Sequence, residues 1–268
     1  MIDFATLQGL TIPEGVVTQV ECNGVVLWKL ENNKPIVLEV EKQTISTYAN
    51  ETTYNNETFI LLDIYPKTNG TVSVTYGGLT KTITDTSGAT SPNAQKVFFG
   101  TFNGVSDSVT TPTSGTLTIE GDYVAFGTGS FRNLSSSKSD SHLACITNIV
   151  EWGDVEYLPS HAFYSCDKLN AVIISESVTN IGASAFRYCS GLTTVTISES
   201  VTNIGAYAFN NSSKATYLIL SKTPPTLADN TVFDTSYLTS IVVPKSCGDV
   251  YKNATYWSEY AKKIVEAS

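Results

Sequence analysis

Apolar positions in the second half of the chain recur at a fixed interval of 23 residues. Stepping by 23 from Ile146 gives Leu169, Leu192, Ala215 and Leu238, and three residues after each stand Ile149, Val172, Val195, Leu218 and Ile241. Further along each repeat an Ala-Phe pair returns, as Ala162-Phe163, Ala185-Phe186 and Ala208-Phe209, with Phe233 displaced by one in the fourth. Residues 169–191 and 192–214, LNAVIISESVTNIGASAFRYCSG and LTTVTISESVTNIGAYAFNNSSK, are nearly identical. A unit this short cannot enclose its own apolar side, so the pattern predicts stacked units that share one core. Each rung reads as a short strand with its first, fourth and sixth positions inward, a turn, and a tight helical or 3₁₀ segment ending in Ala-Phe. Successive strands are then parallel and about 4.8 Å apart. Five such rungs are predicted, and Gly182 and Gly205, in phase, mark a place of positive φ or close backbone approach.

Alternation along these strands places Val150, Ile173, Thr196, Ile219 and Val242 on the outer face, flanked by Trp152 and Tyr217. A contiguous apolar stripe with aromatic ends is the candidate partner-binding surface. The alternative is that the first half of the chain, or a second copy, covers it.

Beyond the repeats, Ser246 with Asp249 three positions on predicts a helix start, and Val250, Tyr251, Ala254, Trp257, Ala261 and Ile264 follow at helical spacing. That helix would close the open end of the core, with Trp257 packed inside. In the first half, Val16 to Cys22 and Val25 to Lys29 flank Asn23-Gly24, a type I′ hairpin signal. Residues 31–35 read as a linker. Seven strands follow, at 37–41, 59–65, 71–76, 79–84, 97–102, 116–120 and 123–126, a density that predicts an immunoglobulin-like sandwich without the Cys-Trp-Cys pattern of a true immunoglobulin domain. The polar stretch 135–141 is a joint. The predicted fold is thus mostly β: an N-terminal hairpin segment (1–34), a β-sandwich (35–134), and a repeat solenoid with a C-terminal helical cap (140–268).

Composition supports this and removes several functions. Among 268 residues, 16 Lys and Arg face 25 Asp and Glu, a net charge of −9, which disfavours a phosphate backbone as partner. The polar remainder is rich in Thr, Ser and Asn, residues of strands and turns. No membrane-spanning apolar run and no Sec-type leader are visible. The five cysteines contain no CxxC pair and only two histidines accompany them, so no metal site or cofactor is predicted. Cys166 and Cys189 share a column and are expected as stacked buried thiols. No phosphate-cradling loop occurs, and FGTGS at 126–130 reads as a turn. Asp140 and His142 lie in a Ser-rich stretch without a nucleophile elbow, and His161 falls at an outward position. Glu176, Glu199, Lys222 and Lys245 form a surface charge column rather than a catalytic pair. The reading is therefore non-enzymatic.

The sentence ISESVTNIGASAFRYC, repeated as ISESVTNIGAYAFNNS, resembles the BspA-like, or Treponema-type, leucine-rich repeat, whose pattern runs LxxIxIPxxVxxIGxxAFxxC. The resemblance covers about residues 145–245. It departs in the first rung, where Glu151 and Trp152 end the strand and Pro159 replaces Gly, and in the fourth, where Ala215 stands for Leu. The ending YKNATYWSEYAKKIVEA is similar to the C-terminal cap of that family, and LTIPEGVVTQVECNGVVLWK to a leader segment of gut bacterial and prophage proteins. The resemblance implies a bacterial surface-associated interaction or adhesion module that contacts a protein or glycan. The alternative it implies is a prophage-encoded structural or receptor-binding accessory, located on a virion rather than a cell surface.

Overall fold

The computed structural model describes residues 19–22, 25–29, 34–40, 43–48, 52–67, 69–85, 95–102, 105–106, 108, 114–121, 123–127, 146–212 and 215–268. The Asn23-Gly24 turn, the 135–141 joint, Asp140, His142 and Cys145 lie outside the described residues. The chain forms two compact units, residues 1–33 and 34–268. In the first, β1 (Gln19–Cys22) and β2 (Val25–Lys29) pair antiparallel with Cys22 opposite Val25, as the Asn-Gly signal predicts.

The second unit begins with β3 (Ile36–Val40), β4 (Gln43–Tyr48), β5 (Thr52–Pro66), β6 (Thr71–Tyr76), β7 (Leu79–Thr84), β8 (Gln95–Phe102), β9 (Val105–Ser106), β10 (Gly115–Gly121) and β11 (Tyr123–Gly127). All seven expected strands form; β4 and β9 are additional. One antiparallel sheet contains β3, β10, β6 and β7 in that order, the other β11, β5, β8 and β9, with β4 against β5. Alternation fills the space between them: Leu38, Val72, Val74, Leu117 and Ile119 meet Ile64, Val97 and Phe99. The Tyr76 and Phe99 rings touch across it at 5.5 Å. Threonine abundance has a use here. Thr71 and Thr84, and Thr75 and Thr80, pair their hydroxyls across β6 and β7 at 3.1 and 2.9 Å.

The repeats contribute β12 (Ile146–Trp152), β13 (Tyr157–Leu158), β14 (Ala171–Ile173), β15 (Asn180–Ile181), β16 (Thr194–Ile197), β17 (Asn203–Ile204), β18 (Thr216–Ile219), β19 (Thr226–Leu227), β20 (Ser240–Val243) and β21 (Ile264–Glu266). Two parallel sheets result, β14-β16-β18-β20-β21 and β13-β15-β17-β19. Between them stands a column of rings: Phe163 on Phe186 at 4.9 Å, Phe186 on Phe209 at 5.3 Å and Phe209 on Phe233 at 5.6 Å, with planes within 12° of parallel. The Ala-Phe phase thus reports a real shared interior.

Three local expectations are corrected. First, β12 does not join the parallel sheet. It pairs antiparallel with β3, bulged at Ile146/Asn148 and Ile149/Glu151, so the two halves share a continuous core. The bulges turn Trp152 inward, 8% exposed, against Phe126 at 6.0 Å and Phe163 at 5.9 Å. Second, β18 is shifted by one residue: Val195 pairs with Tyr217 rather than Leu218. Ala215 is too small to fill the slot of a Leu, and the slip brings the Tyr217 ring in against Phe209 at 5.1 Å and Phe233 at 4.8 Å. Third, the cap is a short helix α1 (Gly248–Lys252), a 3₁₀ segment Trp257–Lys263, and then β21, which extends the sheet beside β20. Ser246 is not the N-cap; it has φ +63°, Cys247 takes the position without a side-chain bond, and Val250 is exposed.

The cap still closes the core. Trp257 Nε1 donates to the Pro225 carbonyl at 2.8 Å, Tyr251 Oη to Ser221 O at 2.7 Å and Tyr260 Oη to Asn230 O at 2.7 Å. Each aromatic body packs on the fourth rung while its polar tip satisfies one of that rung's carbonyls.

Phe186→Ala, in mid-column, is expected to cost about 3–5 kcal/mol in urea unfolding. Gly182 and Gly205 are close-approach sites and not positive-φ sites: a Cβ on Gly205 would lie 2.5 Å from the Ala183 nitrogen. Gly205→Ala should therefore cost about 1–3 kcal/mol through overpacking, read as a lowered midpoint in the same assay.

Candidate functional site

The hydrogen-bond register of the longer parallel sheet fixes which residues share its outer face. Ile173 lies opposite Thr196, Thr196 opposite Leu218, Leu218 opposite Val242, and Val242 opposite Val265. Five strands at the usual spacing make this row about 19 Å long. Ile173 is 70% exposed and Val265 47%. Two residues away along the strands lies a second row, Ala171, Thr194, Thr216 and Ser240. The face is uncharged throughout these two rows, a flat alternation of aliphatic groups and hydroxyls.

Of the seven expected site residues, Ile173, Thr196 and Val242 fall in this row. Tyr217 and Ile219 do not: both are buried, because the one-residue slip of β18 inverts its faces and presents Leu218 instead. Trp152 is corrected likewise, being part of the core at the junction with β3. Val150 is exposed, but on β12, whose hydrogen-bonded neighbour is β3. Leu218 and Val265 were not predicted. The period-2 run Ala215-Thr216-Tyr217-Leu218-Ile219, with its small first residue, carried the signal for the former; nothing local marked Val265, which reaches the row only through the fold of the cap.

Beside its pairing with β20, β21 is tied to the start of α1 through Glu266. Its carboxylate accepts from the Ser246 N–H at 3.0 Å and the Gly248 N–H at 2.8 Å, bracketing the start of α1. These two backbone donors, with smaller help from Lys252 and Lys245, hold the Glu266 carboxyl below its ordinary value of 4.5.

The remaining candidate chemistry is structural. Cys166 and Cys189 are buried thiols that form no disulfide. Cys189 Sγ–H donates to Phe163 O at 2.9 Å, and Ser212 in the same column donates to Phe186 O at 2.6 Å. Burial first, then the neighbouring Cys166, pushes the Cys189 thiol well up, so it stays protonated and unreactive. Burial likewise raises the Tyr217 phenol. His161 rests against Tyr164 at 5.6 Å. A shallow groove of about 460 Å³ lies where β13 meets β15, lined among others by Glu156, Tyr157, Ser160, Thr179 and Asn180. It holds no second carboxylate, histidine or cysteine to pair with Glu156. Among the described residues no group of three metal-ligating side chains occurs, and no helix is long and apolar enough to cross a membrane.

Residues 136–262 match the BspA type leucine rich repeat region, in six copies. No curated protein matches the chain.

The Glu266 bracket gives a pH prediction. A carboxyl whose folded pKa is depressed contributes stability that is fully present above the unfolded value and is lost as pH falls through the folded one. Wild type should therefore unfold at a higher temperature than Glu266→Gln at about pH 6, and the two curves should converge towards about pH 3.

Proposed function

Residues 136–262 belong to the BspA-type leucine-rich repeat family, and from that premise we propose that the protein is a non-enzymatic adhesion module of a bacterial surface whose outer sheet face binds a protein partner. Repeats of this family are typically non-enzymatic binding modules, and the family suggests protein interaction or adhesion. We read the coils from residue 146 as five rungs, and the two facing sheets before them as an immunoglobulin-like sandwich that carries them.

The observation that carries the proposal is the row Ile173, Thr196, Leu218, Val242 and Val265, corrected for the slip of β18. Aliphatic groups at its two ends and centre offer apolar burial. The hydroxyl row beside it offers donors and acceptors to a backbone. An uncharged face of this kind suits protein surface better than a charged polymer, because nothing on it must be desolvated at the cost of an ionised group. The two nearly identical rungs, 169–191 and 192–214, differ at eight positions, and three of these lie at its strands: Asn170/Thr193, Ala171/Thr194 and Ile173/Thr196.

The test uses the full chain. Wild type and the double variant Ile173→Asp, Leu218→Asp are compared in binding to a panel of purified extracellular matrix proteins and to a glycan array. Both substitutions are at outward positions, so the melting temperature should change little, while affinity for the protein partner falls at least about tenfold. Unchanged capture of the matrix protein by the double variant, or capture of glycans alone by wild type, overturns the reading.

A further inference from the structure

The other five differences between the two nearly identical rungs cluster elsewhere: Ser184/Tyr207, Arg187/Asn210, Tyr188/Asn211, Cys189/Ser212 and Gly191/Lys214. The first four of these pairs lie at the corners of the Ala-Phe segments. Each rung bends there at two left-handed residues, His161, Ser184 and Tyr207 in one column and Ser165, Tyr188 and Asn211 in the other, all with φ between +55° and +65°. Left-handed backbone costs an ordinary residue about 1–2 kcal/mol. It is held by a ladder to the next rung: His161 N to Ala183 O at 2.9 Å, Ser184 N to Ala206 O at 2.8 Å, Ser165 N to Arg187 O at 2.8 Å and Tyr188 N to Asn210 O at 3.1 Å. Serines at these corners are buried, whereas Tyr188 and Tyr207 stand outward, 40% and 39% exposed.

Between those two tyrosines lies Arg187. Its guanidinium carbon is 4.8 Å from the Tyr188 ring and 4.6 Å from the Tyr207 ring. Tyr164 meets Tyr188 edge-on at 5.4 Å, and His161 follows at 5.6 Å from Tyr164. The result is a strip across three rungs, four aromatic side chains and one cation. The Arg187 Nε is buried and has no hydrogen-bond partner. Among the described residues no carboxylate approaches the guanidinium, although the chain has 25 acidic residues against 16 basic ones. A planar guanidinium with five donors ordinarily finds a carboxylate when it is partly desolvated. Here the two rings hold the guanidinium and enclose its Nε, so the terminal Nη groups are the donors left to a ligand.

The geometry points to a binding site for an acidic sugar, a pyranose carrying one carboxylate such as a uronate or sialate residue. The carboxylate takes the terminal Nη N–H groups of Arg187, and the C–H face of the sugar lies on the exposed ring of Tyr188 or Tyr207. A neutral sugar could stack but would leave the guanidinium unpaired. A polyanionic segment is repelled by the net charge of −9. A single carboxylate on a hydroxylated ring meets both conditions. This strip is separate from the outer sheet face, so each can fail without the other.

The test is calorimetric titration of the full chain with sialyllactose, tri-galacturonate, its methyl ester, lactose, and a short Glu-rich peptide. At least one acidic sugar binds about tenfold or more tightly than lactose. The methyl ester, which removes the charge without touching the protein, loses that advantage. Arg187→Gln and Tyr207→Ala each weaken the acidic sugar, the first about tenfold, while Ile173→Asp with Leu218→Asp does not. Equal binding of ester and acid, binding of neither acidic sugar, tighter binding of the peptide, or a folded Arg187→Gln protein with unchanged affinity overturns the proposal.

Discussion

Rings stacked at about one strand spacing are the constraint from which the rest of the repeat region follows. Phe163, Phe186, Phe209 and Phe233 are held parallel by the strands and corners that carry them, and in turn they fix the rung spacing, since a missing ring leaves a void that no neighbour can reach. Both ends of the column are closed by rings in other orientations. Phe126 and Trp152 meet Phe163 edge-on at one end, and Tyr260 meets Phe233 at 89° at the other. A stack of parallel faces is ended by edges, which is also the favourable electrostatic arrangement of aromatic quadrupoles. The column is therefore enclosed at both ends by aromatic rings.

Much of this was legible in the sequence because the period is a property of the core. Each Ala-Phe pair must return in phase or lose its neighbour, so its spacing survives in the sequence almost unaltered. The outward positions carry no such constraint, and their assignment depends on register, which a single missing residue reverses. That is why Tyr217 and Leu218 exchange roles. Phase counted from Ala215 places Leu218 inward, whereas volume places Tyr217 there, and volume decides because an aromatic ring fills what an alanine leaves open.

The remaining differences concern partners distant in sequence. Nothing in Ile146–Trp152 announces that it pairs with Ile36–Val40, more than a hundred residues earlier. The helical spacing from Val250 to Ile264 is real as a pattern, but the chain spends it on two short segments and a strand, because Trp257, Tyr251 and Tyr260 must each reach a different carbonyl of the fourth rung. The Arg187 strip was missed for a further reason. Its members are scattered over three rungs, and only stacking brings them together.

At one extremity β12 leaves the repeat sheet to pair with β3, and at the other β21 of the cap adds to β20, so the coils stand between two elements of another kind. A change in length that keeps both of these elements adds or removes a whole 23-residue segment between them. The near-identity of residues 169–191 and 192–214 is what such an internal copying event leaves behind. The fold thus behaves as an adjustable spacer with fixed fittings, its reach set by the number of central coils.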